Sequence, residues 1–153
     1  SDVDFTFVGS GALVGVVKDC GLSNVKYLGE VRDREKVAQI FREHHAFVLN
    51  SYKIPKWEEL YGIVLLEALA SGTAVISTDC VGPKEIVSEE FGFLIPQKNK
   101  EVLKEKIKEL SRNPSLAVEM GEKGREFVEK NYDVRKLSLE WYEVLLGKTF
   151  KSK

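Results

Sequence analysis

The sequence predicts an α/β domain of three layers: a parallel sheet with helices on both faces, followed by further helices at the C-terminus. Three observations predict it. Short apolar runs alternate with stretches of helical periodicity, which is the pattern of right-handed strand–helix–strand crossovers. Gly9, Gly29, Asn50 and Thr78 stand at or near the carboxyl ends of the runs, the edge where open α/β sheets gather ligands. From Lys100 onward the short runs stop and amphipathic helical patterns take over.

The elements follow in order. Asp4 to Val8 reads as a buried strand, and Gly9-Ser10-Gly11 as the turn after it. Ala12 to Asp19 reads as a short helix with Gly21 near its end. Val25 to Leu28 is a second strand, closed by Gly29. Asp33 is placed to cap a helix from Arg34 to Glu43, where Val37, Ile40 and Phe41 share one face. Ala46 to Leu49 is a third strand. A loop from Asn50 to Leu60 carries Pro55 and Trp57. An apolar helix begins near Tyr61, runs to Ala70 and ends at Gly72. Ala74 to Ser77 is a fourth strand. Pro83 suits the first turn of a short helix through Val87. Phe93 to Ile95 is a fifth strand. Three helices close the chain: Lys100 to Ser111, Ser115 to Lys130, and Val134 to Leu146 with a stripe of Leu137, Trp141 and Leu145. Residues 1–147 are expected to form the domain and the polar stretch 148–153 to fray.

The bulk numbers bound the function. A chain of 153 residues suits one domain with a real core. Its 43% hydrophobic and 31% charged content marks a folded, soluble class. A formal net charge of -1 offers no basic footprint for nucleic acid. No apolar run approaches the roughly 18 residues of a membrane span. Cys20 and Cys80 are the only cysteines and have no metal-ligand spacing, so a disulfide framework is not expected and the cytoplasm is the default compartment. Ser1-Asp2-Val3-Asp4 runs straight into Phe5-Thr6-Phe7-Val8, and this reads as a piece of a longer protein.

The segment Glu59 to Glu67 carries the chemistry. Two carboxylates stand eight positions apart, and from Ile63 to Ala70 every residue but Glu67 is apolar. A helix apolar all round reads as a buried helix. Glu67 is then a buried charge that needs a partner, either a protein group or a ligand. The helix start near Tyr61 offers unpaired N–H groups and a positive dipole end, suited to a diphosphate. Gly62 lets a ligand approach the backbone. Glu59 is expected to reach outward from the loop. Carboxylates on both sides of a phosphate site suit a ligand with hydroxyls on both sides of a diphosphate, which is the pattern of a nucleotide sugar.

The run W-E-E-L-Y-G-I-V-L-L-E-A-L-A-S-G-T-A-V-I-S-T-D resembles the signature of the group 1 (family 4) retaining glycosyltransferases of the GT-B fold. That signature is E-x7-E inside E-G-F-G-x-x-x-x-E-A-M-A-x-G-x-P-V-I-A. Phe7-Val8-Gly9-Ser10-Gly11, Val25 to Val31, Val81 to Val87 and Phe91 to Pro96 are similar to further family motifs in the same order. The resemblance implies a Rossmann-like domain, the C-terminal, donor-binding half of a GT-B enzyme that transfers a hexose from a UDP-, GDP- or ADP-sugar to a hydroxyl. Glu59 would contact the donor sugar near the reacting carbon and is the implied catalytic residue. Leu60, Tyr61, Gly62 and Ile63 would give backbone contacts to sugar and phosphate, and Glu67 would bind the ribose. The turn from Gly29 through Val31 and Arg32 would lie against the base. Gly9 joins the donor-binding set, although Gly9-Ser10-Gly11 reads most simply as a tight turn. No cofactor and no metal is implied. The acceptor would sit on an N-terminal domain, which could also bring the enzyme to the cytoplasmic membrane face.

The sequence departs from the family pattern at informative places. Leu60 stands where the family has Gly, and Ala74 where it has Pro. The family's Arg and Lys on the segment before the first strand are not in this sequence. Two other readings stay open: a non-hydrolysing sugar-nucleotide epimerase of GT-B architecture, and a non-catalytic interaction domain that keeps the fold. Elsewhere the plain readings are preferred. His44 and His45 are surface or packing histidines, Glu58 is an ordinary solvated acid, and Trp57 either lines the donor cleft or anchors its loop. Trp141 and Tyr142 pack in the core and between domains, and the charged run from Lys98 to Glu109 is a solvated face.

Overall fold

A computed structural model describes residues 3–147. The order of elements is β1 (Phe5–Val8), α1 (Val14–Lys18), β2 (Val25–Gly29), α2 (Arg34–Arg42), β3 (Ala46–Leu49), α3 (Ile63–Ala70), β4 (Ala74–Thr78), α4 (Val81–Ile86), β5 (Gly92–Ile95), α5 (Lys100–Arg112), α6 (Pro114–Asn131) and α7 (Val134–Leu145). Every expected element is present within a few residues. The tail 148–153 lies outside the described residues. Among the described residues no helix is long and apolar enough to cross a membrane.

The strands are parallel, as expected, but they form two sheets rather than one. β1 pairs with β2, and β3–β4–β5 form a separate sheet with β4 in the middle. Between β1 and β3 the link is a side-chain one: the ring nitrogen Nε2 of His44 lies 2.7 Å from Thr6 Oγ1, while Nδ1 meets Ile40 O at 2.6 Å. His44 is thus a packing histidine.

The three-stranded sheet has helices on both faces. Alternate residues of a strand point to opposite faces. Phe47, Leu49 and Val75 meet α2, α3, α4 and the later turns of α6 through Phe41, Leu65, Leu69, Ile86 and Phe127. Ala46, Val48, Ala74 and Ile76 meet α5 and the start of α6 through Leu110, Ala117 and Met120. β4 is buried along its whole length, as a central parallel strand must be.

Local chemistry explains the helix ends. Asp33 Oδ1 accepts from Glu35 N at 2.9 Å and Lys36 N at 3.3 Å, the cap expected for α2. α3 stops in a Schellman turn: Thr73 N donates to Ala68 O and Gly72 N to Leu69 O, with Gly72 at φ 78°. Close against that turn runs α6. A Cβ on Gly121 would stand 2.0 Å from Gly72 O, so only glycine lets the two backbones touch there.

α7 departs from expectation. None of its residues is buried, and Trp141 and Tyr142 are 65% and 61% exposed. They are not core residues of this chain. The stripe is amphipathic as the sequence indicates, but among the described residues Leu137 is half-buried while Trp141 and Leu145 are exposed.

Candidate functional site

α3 lies between β3 and β4, so its amino end opens at the carboxyl edge of the larger sheet, where α/β domains place ligands. Its cap is Gly62, held left-handed at φ 69°. A Cβ there would also come within 2.9 Å of Leu65 Cδ1. The helix begins at Ile63, two residues later than Tyr61.

Glu59 does not reach outward. Its Oε1 turns back and accepts from Gly62 N at 2.9 Å and from Tyr61 N at 3.4 Å. Two of the amides expected to face a diphosphate are therefore occupied by the protein's own carboxylate. The N–H groups of Ile63 and Val64, in the first turn of α3, have no intrahelical acceptor. The second oxygen of Glu59, Oε2, carries no hydrogen bond among the described residues.

Glu67 is not buried. α3 is apolar at every position but this one, yet a single stripe of it, Ile63, Glu67 and Ala70, is exposed. These positions follow helical spacing. The supposed buried charge is a solvated carboxylate one turn beyond Ile63, on the same face. The premise that Glu67 must find a partner to fold is overturned, because burial was inferred from composition alone.

The loop before α3 is tied down at several points. Thr78 Oγ1 donates to Ser51 O at 2.5 Å. Lys53 N donates to Gln97 Oε1 at 2.7 Å, and Gln97 N donates to Asp79 Oδ1 at 3.2 Å. Ile54 and Trp57 exchange backbone hydrogen bonds of 2.9 and 3.1 Å, closing a tight turn. Gly82 N donates to Glu59 O at 3.0 Å. A cleft of about 580 Å³ opens beside this loop, walled by Lys53, Trp57, Glu58, Glu59, Leu60 and Tyr61. Trp57 thus both lines a cleft and anchors its loop.

Two residues matter more than sequence reasoning allowed. Glu58 is not a solvated acid: its side chain is only 13% exposed, it pairs with Lys53 Nζ at 3.0 Å and accepts from Val81 N at 3.3 Å. Gly82 lies directly against the loop, where a Cβ would come within 2.5 Å of Leu60 C and Tyr61 N. Glu58 gave no signal, since carboxylates are common in loops.

The remaining residues form a second group at the ends of β1 and β2. Gly9 N donates to Gly29 O at 2.8 Å, and Tyr27 OH donates to Gly9 O at 2.8 Å. Val31 is half-buried. Arg32 is exposed and its Nε lies 2.9 Å from Glu30 Oε1. Among the described residues no hydrogen bond or ion pair joins this group to Glu59, Gly62 or Glu67.

Parallel strands wound with helices, and a glycine-capped helix opening at the carboxyl edge, define a Rossmann-like domain. The pattern described as Glycosyl transferases group 1 matches residues 2–127, and the chain belongs to that family. A glycosyltransferase of Methanocaldococcus jannaschii is 36% identical over 137 residues, covering 84% of this chain and 37% of its own. A phosphatidyl-myo-inositol mannosyltransferase of Mycobacterium leprae is 30% identical over 135 residues, covering 86% and 34%. Among solved structures, sucrose-phosphate synthase of Thermosynechococcus elongatus superposes with a TM-score of 0.78 at 26% identity, over 94% of this chain and 39% of that one. HepE of Anabaena, solved in complex with UDP-glucose, superposes at 0.79 with 20% identity, over 95% and 41%, a likeness of fold. The chain therefore spans little more than a third of these relatives.

Proposed function

We propose that this chain is the donor-binding part of a retaining glycosyltransferase, which takes a UDP-, GDP- or ADP-hexose and presents its anomeric carbon to a hydroxyl acceptor held by another domain. The observation that carries the reading is the mouth of α3. Within the segment shared with the family, a carboxylate locks a left-handed glycine at the helix start, and a second carboxylate stands exposed one turn inside.

Each group has a role. The free N–H groups of Ile63 and Val64 and the positive end of α3 meet the diphosphate. Glu67 accepts hydrogen bonds from the ribose hydroxyls, and its exposure leaves it open to them. Glu59 keeps one oxygen on the Gly62 amide and turns the other to the sugar, where its charge favours an oxocarbenium-like state. The backbone of Leu60 and Tyr61 lies along the sugar and phosphate, and Gly9, Gly29, Val31 and Arg32 lie toward the base. The bond from the anomeric carbon to the phosphate oxygen breaks, the acceptor oxygen bonds on the same face, and its proton passes to the leaving phosphate. No metal takes part. The compartment is the cytoplasm, at or near the membrane face.

Calorimetric titration of the chain with UDP-, GDP- and ADP-hexoses tests this. One nucleotide class is expected to bind weakly, with no transfer to any acceptor. Glu67→Ala is expected to weaken binding about tenfold or more, since hydrogen bonds to a charged group are worth about 1.5–3 kcal/mol. Unchanged affinity would remove Glu67 from the ribose site.

A further inference from the structure

We infer that Glu58 is a positioning residue of the site: it closes a ring of polar contacts at the carboxyl edge of the larger sheet, and the ring holds Glu59 against the mouth of α3. The geometry stands on contacts within the chain, and the consequence for a ligand rests on the donor-binding reading.

The ring is built at the exits of the strands. Asp79 follows β4, and its Oδ1 accepts from Gln97 N, just beyond β5, at 3.2 Å. Gln97 Oε1 accepts from Lys53 N, in the loop after β3, at 2.7 Å. Lys53 Nζ pairs with Glu58 Oε2 at 3.0 Å. Glu58 Oε1 accepts from Val81 N at 3.3 Å, and the chain itself joins Val81 to Asp79 through Cys80. The loop is thereby fixed to the exits of β4 and β5 and to the start of α4.

Glu58 supplies what α4 lacks locally. Cys80, the residue ahead of this helix, makes no side-chain cap, and the first amides of a helix have no intrahelical acceptor. The carboxylate that takes the first of them comes from 23 positions earlier in the chain. Turning a carboxylate away from water is costly unless an opposite charge and hydrogen bonds meet it. Lys53 brings the charge, and Val81 N the hydrogen bond. Both oxygens of Glu58 are engaged within the chain, so it acts through its neighbour and not on a ligand.

The neighbour is Glu59. Its carbonyl accepts from Gly82 N at 3.0 Å, while the side chain of Glu58 anchors the preceding residue. Backbone held on both sides of the Glu59 Cα sets the direction in which its side chain leaves. Oε1 then meets Gly62 N at 2.9 Å, and Oε2 is left for the sugar. Two successive carboxylates of one loop thus serve two helix starts, Glu58 at α4 and Glu59 at α3. A group that must face a reacting centre needs neighbours that lock its geometry, and Glu58 is such a neighbour.

Amide exchange followed by NMR, and calorimetric titration with UDP, GDP, ADP and their hexose forms, test the inference on the chain. In Glu58→Ala the amides of Gly62 and Gly82 are expected to exchange about 10-fold faster, while Leu69, in the packed part of α3, keeps its rate. Glu58→Gln retains an acceptor for Val81 N and is expected to restore most of the protection. Lys53→Met opens the ring at an exposed residue and is expected to act in the same direction, more weakly. Unchanged exchange at Gly62 and Gly82 in Glu58→Ala overturns the inference. So does equal acceleration of Leu69, which would make Glu58 a stabiliser of the fold alone. In the titrations, Glu58→Ala is expected to bind the nucleoside diphosphate as the wild type does. Its hexose form is expected to bind about 5- to 10-fold more weakly, part of what a hydrogen bond to a charged group supplies. With Glu59 already replaced by alanine, no further loss is expected, because one residue acts through the other. Equal losses for the diphosphate and its hexose form, or additive losses of the two substitutions, overturn the positioning role. A wild-type chain that binds none of these ligands overturns the donor-binding reading instead, and exchange at Gly62 and Gly82 then decides whether Glu58 positions Glu59.

Discussion

β1 and β4 look alike as sequence and behave differently as structure. Phe5-Thr6-Phe7-Val8 and Ala74-Val75-Ile76-Ser77-Thr78 are both short apolar runs ahead of a turn. β4 is buried throughout, with a helix layer on each face and a strand on each side. β1 has one strand neighbour, and its Phe7 and Val8 are 44% and 45% exposed. Strand propensity is local, but burial belongs to the layers around the strand. The difference marks which half of the domain is packed on all sides among the described residues.

The sharpest way to break that comparison is to remove the same kind of atoms from each half. Ile76→Ala is expected to cost about 2–5 kcal/mol, as for a buried large-to-small change, because Ile76 is fully buried. Phe7→Ala removes more atoms but is expected to cost about 1 kcal/mol, since roughly half of the ring is already in water. Urea unfolding of both variants reads the two values. Equal losses would show that β1 is packed as tightly as β4. Gly121→Ala comes next, at about 1–3 kcal/mol: its Cβ meets the carbonyl of Gly72, a backbone atom that cannot turn aside. A neutral result in the same assay would mean that α6 slides freely over the end of α3.

What was legible in the sequence follows the same division. Strand and helix positions are set by local period and by caps such as Asp33 and Gly72, and these were readable residue by residue. The split of the sheet was not, because hydrogen bonds between strands depend on which strands are present. Glu67 is the instructive case in the site. Helical composition said buried, but an eight-residue helix packed on one side keeps a stripe in solvent, and Glu67 lies on that stripe. Family likeness points to the segment from Glu59 to Glu67, while the backward fold of Glu59 onto Gly62 N depends on a side-chain torsion that no residue pattern encodes.

Polar order within the packed half can be probed next. Thr73 is buried, and its Oγ1 donates to Phe41 O at 2.8 Å, joining the end of α2 to the start of β4. Thr73→Val keeps the shape and removes that bond, leaving Phe41 O to the His44 amide at 3.0 Å, at an expected cost of about 0.5–1.5 kcal/mol. Thr73→Ser should recover most of it. If Val is neutral and Ser loses stability, the methyl group matters and the hydrogen bond does not.

Glu67→Ala is expected to have the smallest effect on stability and the most telling one on function. Glu67 belongs to the packed half by position, on a helix whose Leu65, Ala68 and Leu69 are fully buried, but its own side is solvent. Alanine is a better helix former than glutamate, and no hydrogen bond of the described chain depends on this carboxylate. Unfolding free energy should therefore change by less than about 0.5 kcal/mol, as at ordinary surface positions. Nucleotide-sugar affinity should fall in the same variant. Stability and binding then separate at one residue, which identifies a carboxylate placed for a ligand and not for the fold. A loss of stability equal to the loss of binding would return Glu67 to the structural role that its exposure argues against.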